Sequence, residues 1–287
     1  MIEPNAPDLG SRHAREIESG NRFRFGENWS RFIGAIDESR VRMAERSLVQ
    51  MLGCTDLTDK TFLDVGSGSG LFSLAARRFG ARVRSFDYDP QSVACTAELK
   101  RRYFADDPDW IVEHGSVLDD DYLAALGRYD VVYSWGVLHH TGRMWAALQG
   151  VSRLVAPDGR LCIAIYNDQG RASRFWLWVK RTYNRLPEGL RWLVLGPALV
   201  RLWGPTVVRD SVALQPLRSW QRYSEGSLRG MSAWRDVVDW VGGLPFEVAK
   251  PEQILDLYRE RGFELVKMRT CAGGHGCNEY VFAAPRR

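Results

Sequence analysis

The sequence is short of cysteine, of long apolar runs and of any strong charge excess. Its five cysteines, an odd number at irregular spacing, argue against a disulfide framework and leave a reducing cytoplasm as the expected location. Cys95 and Cys162 stand in apolar periodic contexts and read as small core residues. The longest apolar stretch, near Leu190 to Trp203, is interrupted by Arg191, Pro197 and Arg201, too soon to span a bilayer. Met1 to Pro7 carries no apolar segment of the secretory kind. The net charge is only +4, too small an excess to argue for a nucleic-acid partner. Neither an internal repeat nor a low-complexity segment appears.

What is present is ample apolar material, 45% of 287 residues, enough for one large domain or two small ones. The chain is organised around Thr61-Phe62-Leu63-Asp64-Val65-Gly66-Ser67-Gly68-Ser69-Gly70-Leu71-Phe72. An apolar run ends in an acid, alternate glycines follow, and a helical pattern begins. Glycine at 66, 68 and 70 permits turn dihedrals and close approach of a ligand to the backbone. The free N–H groups of the helix start then face that ligand. The spacing is G-x-G-x-G, with Leu71 where a dinucleotide fingerprint has its third glycine. Asp64 would repel a pyrophosphate but suits an ammonium group. Asp87 ends the next apolar run, twenty-one residues after Gly66, where an acid can accept hydrogen bonds from both ribose hydroxyls. A cationic amino-acid end joined to a ribose describes S-adenosyl-L-methionine (SAM).

This stretch resembles motif I of the class I SAM-dependent methyltransferases, and Ser85-Phe86-Asp87-Tyr88-Asp89 resembles their second motif. The resemblance continues through Val112–Asp119, Tyr129–His140 and Leu154–Leu161, and more weakly over 251–285. It implies a Rossmann-like α/β fold. Its seven-stranded sheet is mostly parallel, with the sixth strand parallel and the seventh antiparallel. It also implies SAM as cofactor and S-adenosyl-L-homocysteine as product.

Strand patterns near 61–65, 82–86, 110–113, 129–134 and 160–165 alternate with helical ones near 70–79, 90–104, 119–126 and 143–154. That alternation predicts a parallel sheet with right-handed crossovers. Before it, residues 1–20 read as a polar arm, and Ile36 to Leu52 as a helix. After it, residues 166–245 hold seven of the eleven tryptophans and 12 Lys and Arg against 6 Asp and Glu, so this stretch is +6 and the rest −2. A helix from Pro251 and strands over 263–270 and 279–284 resume the sheet. The expected divisions are 1–60, an N-terminal arm and helical lid; 61–165, the SAM-binding core; 166–245, a helical Trp/Arg-rich insertion; and 246–287, which completes the core.

The expected cofactor contacts are Asp64, Gly66, Ser67, Gly68, Gly70, Asp87, Tyr88, Ser116, Val117, Ser134 and Trp135. Ser116 stands where many family members carry Asp, a departure that bears on the adenine edge. Histidine can take a proton from a hydroxyl near neutral pH, so His139, His140 and, in the glycine-rich loop 271–279, His275 are candidate bases. His140 occupies the place of a histidine common in related small-molecule methyltransferases. Trp29, Tyr166, Asn167 and Asn278 are candidate acceptor contacts. Phe25, Trp29 and Phe32 can form a lid, with Arg22 and Arg24 placed to meet a carboxylate. Cys271, His275 and Cys277 fall short of a closed zinc set, so no metal is expected.

The expected function is methyl transfer to an oxygen, or less readily a nitrogen, sulfur or carbon, of a small molecule. The insertion is expected to roof the acceptor pocket or, alternatively, to form a homodimer interface or a solvated basic helix face. RNA or protein as acceptor is the second reading, though the family's Asn/Asp-Pro-Pro-Tyr segment and its Pro-Cys pair are absent. A SAM-binding partner subunit without catalysis is the third. Salt-dependent RNA binding would mark the second, and SAM binding without transfer the third.

Overall fold

The computed structural model describes residues 8–34, 36–223 and 232–286. The side chains of Arg31 and Phe32, the first seven residues of the expected arm, and 224–231 of the expected insertion lie outside the described residues.

Helices α1 (Leu9–Glu18), α2 (Phe25–Ile33) and α3 (Glu38–Leu52) precede the sheet. Then β1 (Thr61–Val65), α4 (Leu71–Arg78), β2 (Arg82–Asp87), α5 (Pro90–Tyr103), β3 (Trp110–His114), α6 (Asp120–Leu126), β4 (Tyr129–Trp135), α7 (Met144–Arg153) and β5 (Val155–Tyr166) alternate. Between β5 and the next sheet element lie α8 (Arg171–Arg185), α9 (Trp192–Val212), the short α10 (Arg218–Gln221) and α11 (Ala233–Gly242). The chain ends in α12 (Pro251–Arg259), β6 (Glu264–Arg269) and β7 (Cys277–Ala283).

The seven strands lie in the order β3-β2-β1-β4-β5-β7-β6. Strand β7 is antiparallel to both neighbours; the other strand pairs are parallel. The seven-stranded sheet and its reversed last strand are as the resemblance implied. Alternate side chains of the central strands enter different cores, as the pleat requires. Leu63, Val65, Val132, Leu161 and Ile163 join α6, α7 and α12 on one face. Phe62, Val131, Tyr133 and Cys162 join α3, α4 and α5 on the other. With both faces covered, β1 is buried from Phe62 to Val65 and apolar there except at Asp64. Local signals fix the helix starts: Asp89 caps α5 ahead of Pro90, and Asp119 caps α6. A third cluster joins Trp176, Val179 and Tyr183 of α8 to Ala198 of α9, Val237 and Val241 of α11, and Phe23.

Two elements differ from the sequence reading. Residues 9–18 are a helix rather than an arm, because the buried side of α1 is polar, centred on His13. Strand β5 starts five residues before the expected 160 and carries Asp158 at positive φ, beside an irregular register with β4.

Strand order reverses between β1 and β4, so a crevice opens at their carboxyl ends. No described helix is long and apolar enough to cross a membrane.

Candidate active site

The crevice is a cleft of about 1100 Å³. Pockets for one small ligand span roughly 300–1,000 Å³, so the space can take two molecules side by side. Its floor is the loop between β1 and α4. Gly66 and Gly68 have φ of 81° and 56°. A Cβ on Gly66 would lie 2.3 Å from Val137, and one on Gly68 3.2 Å from the Trp29 ring. The loop therefore needs glycine at these two places both for its dihedrals and for what packs over it.

Asp64 is fully buried at this floor, with Ser73 Oγ donating to it at 2.5 Å. Burial pushes its pKa up to about 7; the Ser73 hydrogen bond opposes the shift, and the charge of Asp87 adds to it. Asp87 accepts from Gly68 N and Asp89 N, both at 2.9 Å, and burial pushes its pKa up to about 6. Two desolvated carboxyls face one cavity, an arrangement that favours a cation at the first and hydroxyl donors at the second. Ser67, Tyr88, Ser116, Val117 and Trp135 also line the cleft. Tyr88 lies under the Arg22 guanidinium at 4.8 Å. Trp135 Nε1 donates to Glu279 at 3.2 Å.

Two expected contacts serve the scaffold instead. A Cβ on Gly70 would lie 2.9 Å from Thr96, so that glycine allows α4 to approach α5. Ser134 is buried and its Oγ donates to Val65 O at 2.9 Å, tying β4 to β1. Neither Gly70 nor Ser134 lines the cleft.

The three histidines separate clearly. His140 lines the cleft, and its Nδ1 lies 2.6 Å from Pro245 O. A carbonyl can only accept, so Nδ1 carries the proton, and in the neutral ring Nε2 holds the lone pair. Phe25 packs on the ring at 4.8 Å. His139 is fully buried behind it, against Tyr166 at 3.9 Å, and does not line the cleft. His275 stands at the rim beside Trp176 and Trp240, at 5.5 and 5.3 Å. Desolvation, then Arg201 and Lys180, hold its pKa below the ordinary imidazole value.

Of the expected acceptor contacts, Trp29 and Tyr166 line the cleft. Asn167 and Asn278 do not. Asn278 Nδ2 donates to Asn167 Oδ1 at 3.0 Å, and its Oδ1 accepts from Cys271 N at 3.1 Å, so these amides brace the loop between β6 and β7. Arg22 and Arg24 are engaged within the chain, by Glu16 at 2.6 Å and Glu27 at 3.1 Å.

The far wall comes from the helices after β5: Arg222, Tyr223, Asp236, Asp239 and Trp240. Asn28 Nδ2 donates to Asp239 at 2.7 Å and links that wall to α2. Lys180, buried among Trp240, Phe246 and Tyr166, donates to Trp240 O, and burial pushes its pKa down to about 7. The sequence reading assigned no individual role to Asp239, Trp240 or Pro245. A backbone carbonyl such as that of Pro245 leaves no mark in a sequence. Among the described residues, no group of three or more His, Cys, Asp or Glu side chains is placed to hold a metal ion.

A family model for a methyltransferase domain matches residues 37–203. A ubiquinone biosynthesis O-methyltransferase of Xanthomonas oryzae pv. oryzae is 27% identical over 248 residues, covering 82% of this chain and 92% of that protein. A ribosomal protein L11 methyltransferase of Prochlorococcus marinus is 34% identical over 111 residues, covering 38% of this chain and 33% of that protein. Among solved structures, magnesium protoporphyrin IX methyltransferase from Synechocystis PCC 6803 with bound S-adenosylhomocysteine is similar at a TM-score of 0.53 and 14% identity. The likeness covers 95% of this chain and 99% of that one, and is a likeness of fold. With the family model spanning more than half of the 287 residues, on a sheet of this order, the chain belongs to the class I SAM-dependent methyltransferases.

Proposed function

We propose that this methyltransferase acts on an oxygen of a small aromatic or amphipathic molecule, with His140 as its base. In this reading residues 61–165 and 246–287 hold the cofactor, while 1–60 and 166–245 close over it. Asp64 takes the ammonium end, Asp87 the ribose hydroxyls, and Gly66, Ser67 and Gly68 the backbone contacts. Tyr88, Ser116 and Val117 border the adenine, and Trp135 the sulfur end. The bound cofactor supplies a methyl group made electrophilic by its sulfonium. The chain's own work is to hold an acceptor oxygen in line with it and to exclude water.

The observation that carries the proposal is the His140 ring on the cleft wall, with Nδ1 fixed by Pro245 O at 2.6 Å. That fixes the tautomer with Nε2 as proton acceptor, which suits a hydroxyl that must lose its proton as it becomes a nucleophile. The aromatic walls from Phe25, Trp29, Tyr166 and Trp240 suit a flat or apolar acceptor. The 27% identical relative, an O-methyltransferase by name, supports oxygen as the acceptor atom.

The test is transfer from methyl-labelled SAM to a panel of phenols, carboxylates, amines and thiols, read by mass spectrometry. Label on a phenolic or other hydroxyl oxygen is expected, together with loss of turnover but not of SAM binding in His140→Ala. Label confined to nitrogen or sulfur acceptors would overturn the assignment of oxygen.

A further inference from the structure

The helices after β5 have a second side, turned away from the cleft, that no packing in the fold explains. The outer face of α8 carries Arg171, Arg174, Phe175, Trp178, Arg181 and Arg185. Their spacing puts all six on one side of the helix, while Trp176, Val179 and Tyr183 face the core on the other. Trp178 is 62% exposed, and Phe175 lies 6.1 Å from it, so the two rings form a solvent-facing pair. There is no Asp or Glu in α8. None of the four arginines is in an ion pair with a described residue.

Helix α9 exposes apolar side chains as well. Leu193, Val200, Val208 and Val212 are exposed along it, Val200 at 71% and Val212 at 80%. Its single acid, Asp210, is buried and accepts from Ser219 N at 2.7 Å and Ser219 Oγ at 2.9 Å, so no negative side chain of α9 faces outward. Large apolar side chains exposed in series are costly to leave in water and mark a partner surface.

We propose that the outer face of α8 and α9 docks on the surface of an anionic lipid bilayer. Aromatic side chains interleaved with arginine are what a helix lying in a membrane interface presents: the rings enter the headgroup boundary and the guanidinium groups meet lipid phosphates. The chain lies on the bilayer rather than across it, since no described helix could span one. Charge decides against a second copy of the chain on this face. The 166–245 stretch is +6 by sequence, and a two-fold interface would set its arginines against their own copies. The inner side of the same helical layer supplies Tyr223, Asp236 and Trp240 to the cleft, so docking sets the cleft wall next to the lipid surface.

The test is co-sedimentation of the whole protein with vesicles of equal parts phosphatidylglycerol and phosphatidylcholine, against vesicles of phosphatidylcholine alone. Binding to the anionic vesicles, weakened by salt, is expected. The pair Phe175→Ser, Trp178→Ser and, separately, the pair Arg174→Glu, Arg181→Glu should each lower it by about tenfold or more. An unchanged SAM-induced thermal shift shows that these surface variants fold. Three results would overturn the proposal. One is no vesicle binding by wild type at low ionic strength. Another is vesicle binding that neither variant pair reduces. The third is wild type that stays off vesicles and instead forms a dimer, or binds RNA, through these same residues.

Discussion

Asp64 is a carboxyl held where a carboxylate is poorly solvated. Burial raises its pKa in the fold to about 7, from an ordinary value near 3.8. The group therefore contributes most to the stability of the unliganded protein below pH 3.8, and that contribution is lost as pH rises through about 7. Binding of a cation has the opposite dependence, because it needs the ionised form. SAM affinity is expected to fall as pH drops below about 7, and in Asp64→Asn to be weaker at neutral pH and flatter with pH. Loss of one charge-assisted contact, about 1.5–3 kcal/mol, corresponds to roughly ten- to hundredfold in Kd. Isothermal calorimetry across that pH range checks both, and equal slopes for the two proteins would remove Asp64 from the role.

His140 gives a different signature. As a base it is worth about 10²–10⁴ in turnover, so His140→Gln should lose that much in kcat. SAM affinity should hold. Gly66→Ala tests the floor itself. Its Cβ would sit 2.3 Å from Val137 with φ at 81°, and overpacking of that kind costs about 1–3 kcal/mol. Val137→Ala should restore part of the loss in denaturant unfolding; full additivity of the two changes would mean that they do not meet.

At the scale of elements, Asp89 joins the N-terminal helices to the sheet. Its carboxylate accepts from Gly26 N at 2.8 Å in α2 and from Gln91 N at 2.9 Å in α5, and lies 3.6 Å from His13 Nε2 in α1. Asp89→Ala should cost about 0.5–2 kcal/mol for the lost cap of α5 alone. It should also speed amide exchange in α2 more than in the strands, as hydrogen-exchange mass spectrometry can show. Uniform acceleration throughout would mean that Asp89 stabilises the fold without tethering those helices.

This hub also shows which parts of the structure the sequence announces. Strands β1 to β4 were legible within a residue or so because short strand-like segments bounded by turn signals alternate with helical patterns, and β1 and β4 are buried along most of their length. The floor was legible because Gly66, Gly68, Asp64 and Asp87 are close in sequence or end adjacent strands. Helix α1 was not, because its one buried residue is His13 and its further contact is the half-buried Glu16–Arg22 pair, and polar contacts carry no period. The pairing of Asn278 with Asn167 and of Asn28 with Asp239 was hidden for a related reason: each joins residues 111 and 211 positions apart, and only the fold brings them together.

On the scale of the whole molecule, the cleft draws its walls from widely separated parts of the chain, from Leu9 to Glu279. A ligand touching both ends should therefore stabilise the molecule globally. The SAM-induced rise in Tm should appear alike in probes placed near α2 and near β7, and a rise confined to one of them would show that the cleft does not couple its two ends. The strand order carries a further consequence, for the order of synthesis. Strand β7 is the last of the seven in chain order and yet lies inside the sheet, between β5 and β6. Until residues 277–283 have left the ribosome, β5 has an open edge where its final neighbour belongs, and β6 has no place in the sheet at all. A nascent chain that already holds both aspartates and the glycine loop thus still exposes an aggregation-prone edge. Protease resistance in a synchronised translation reaction should appear in one late step, as the final strand slots between two that are waiting for it.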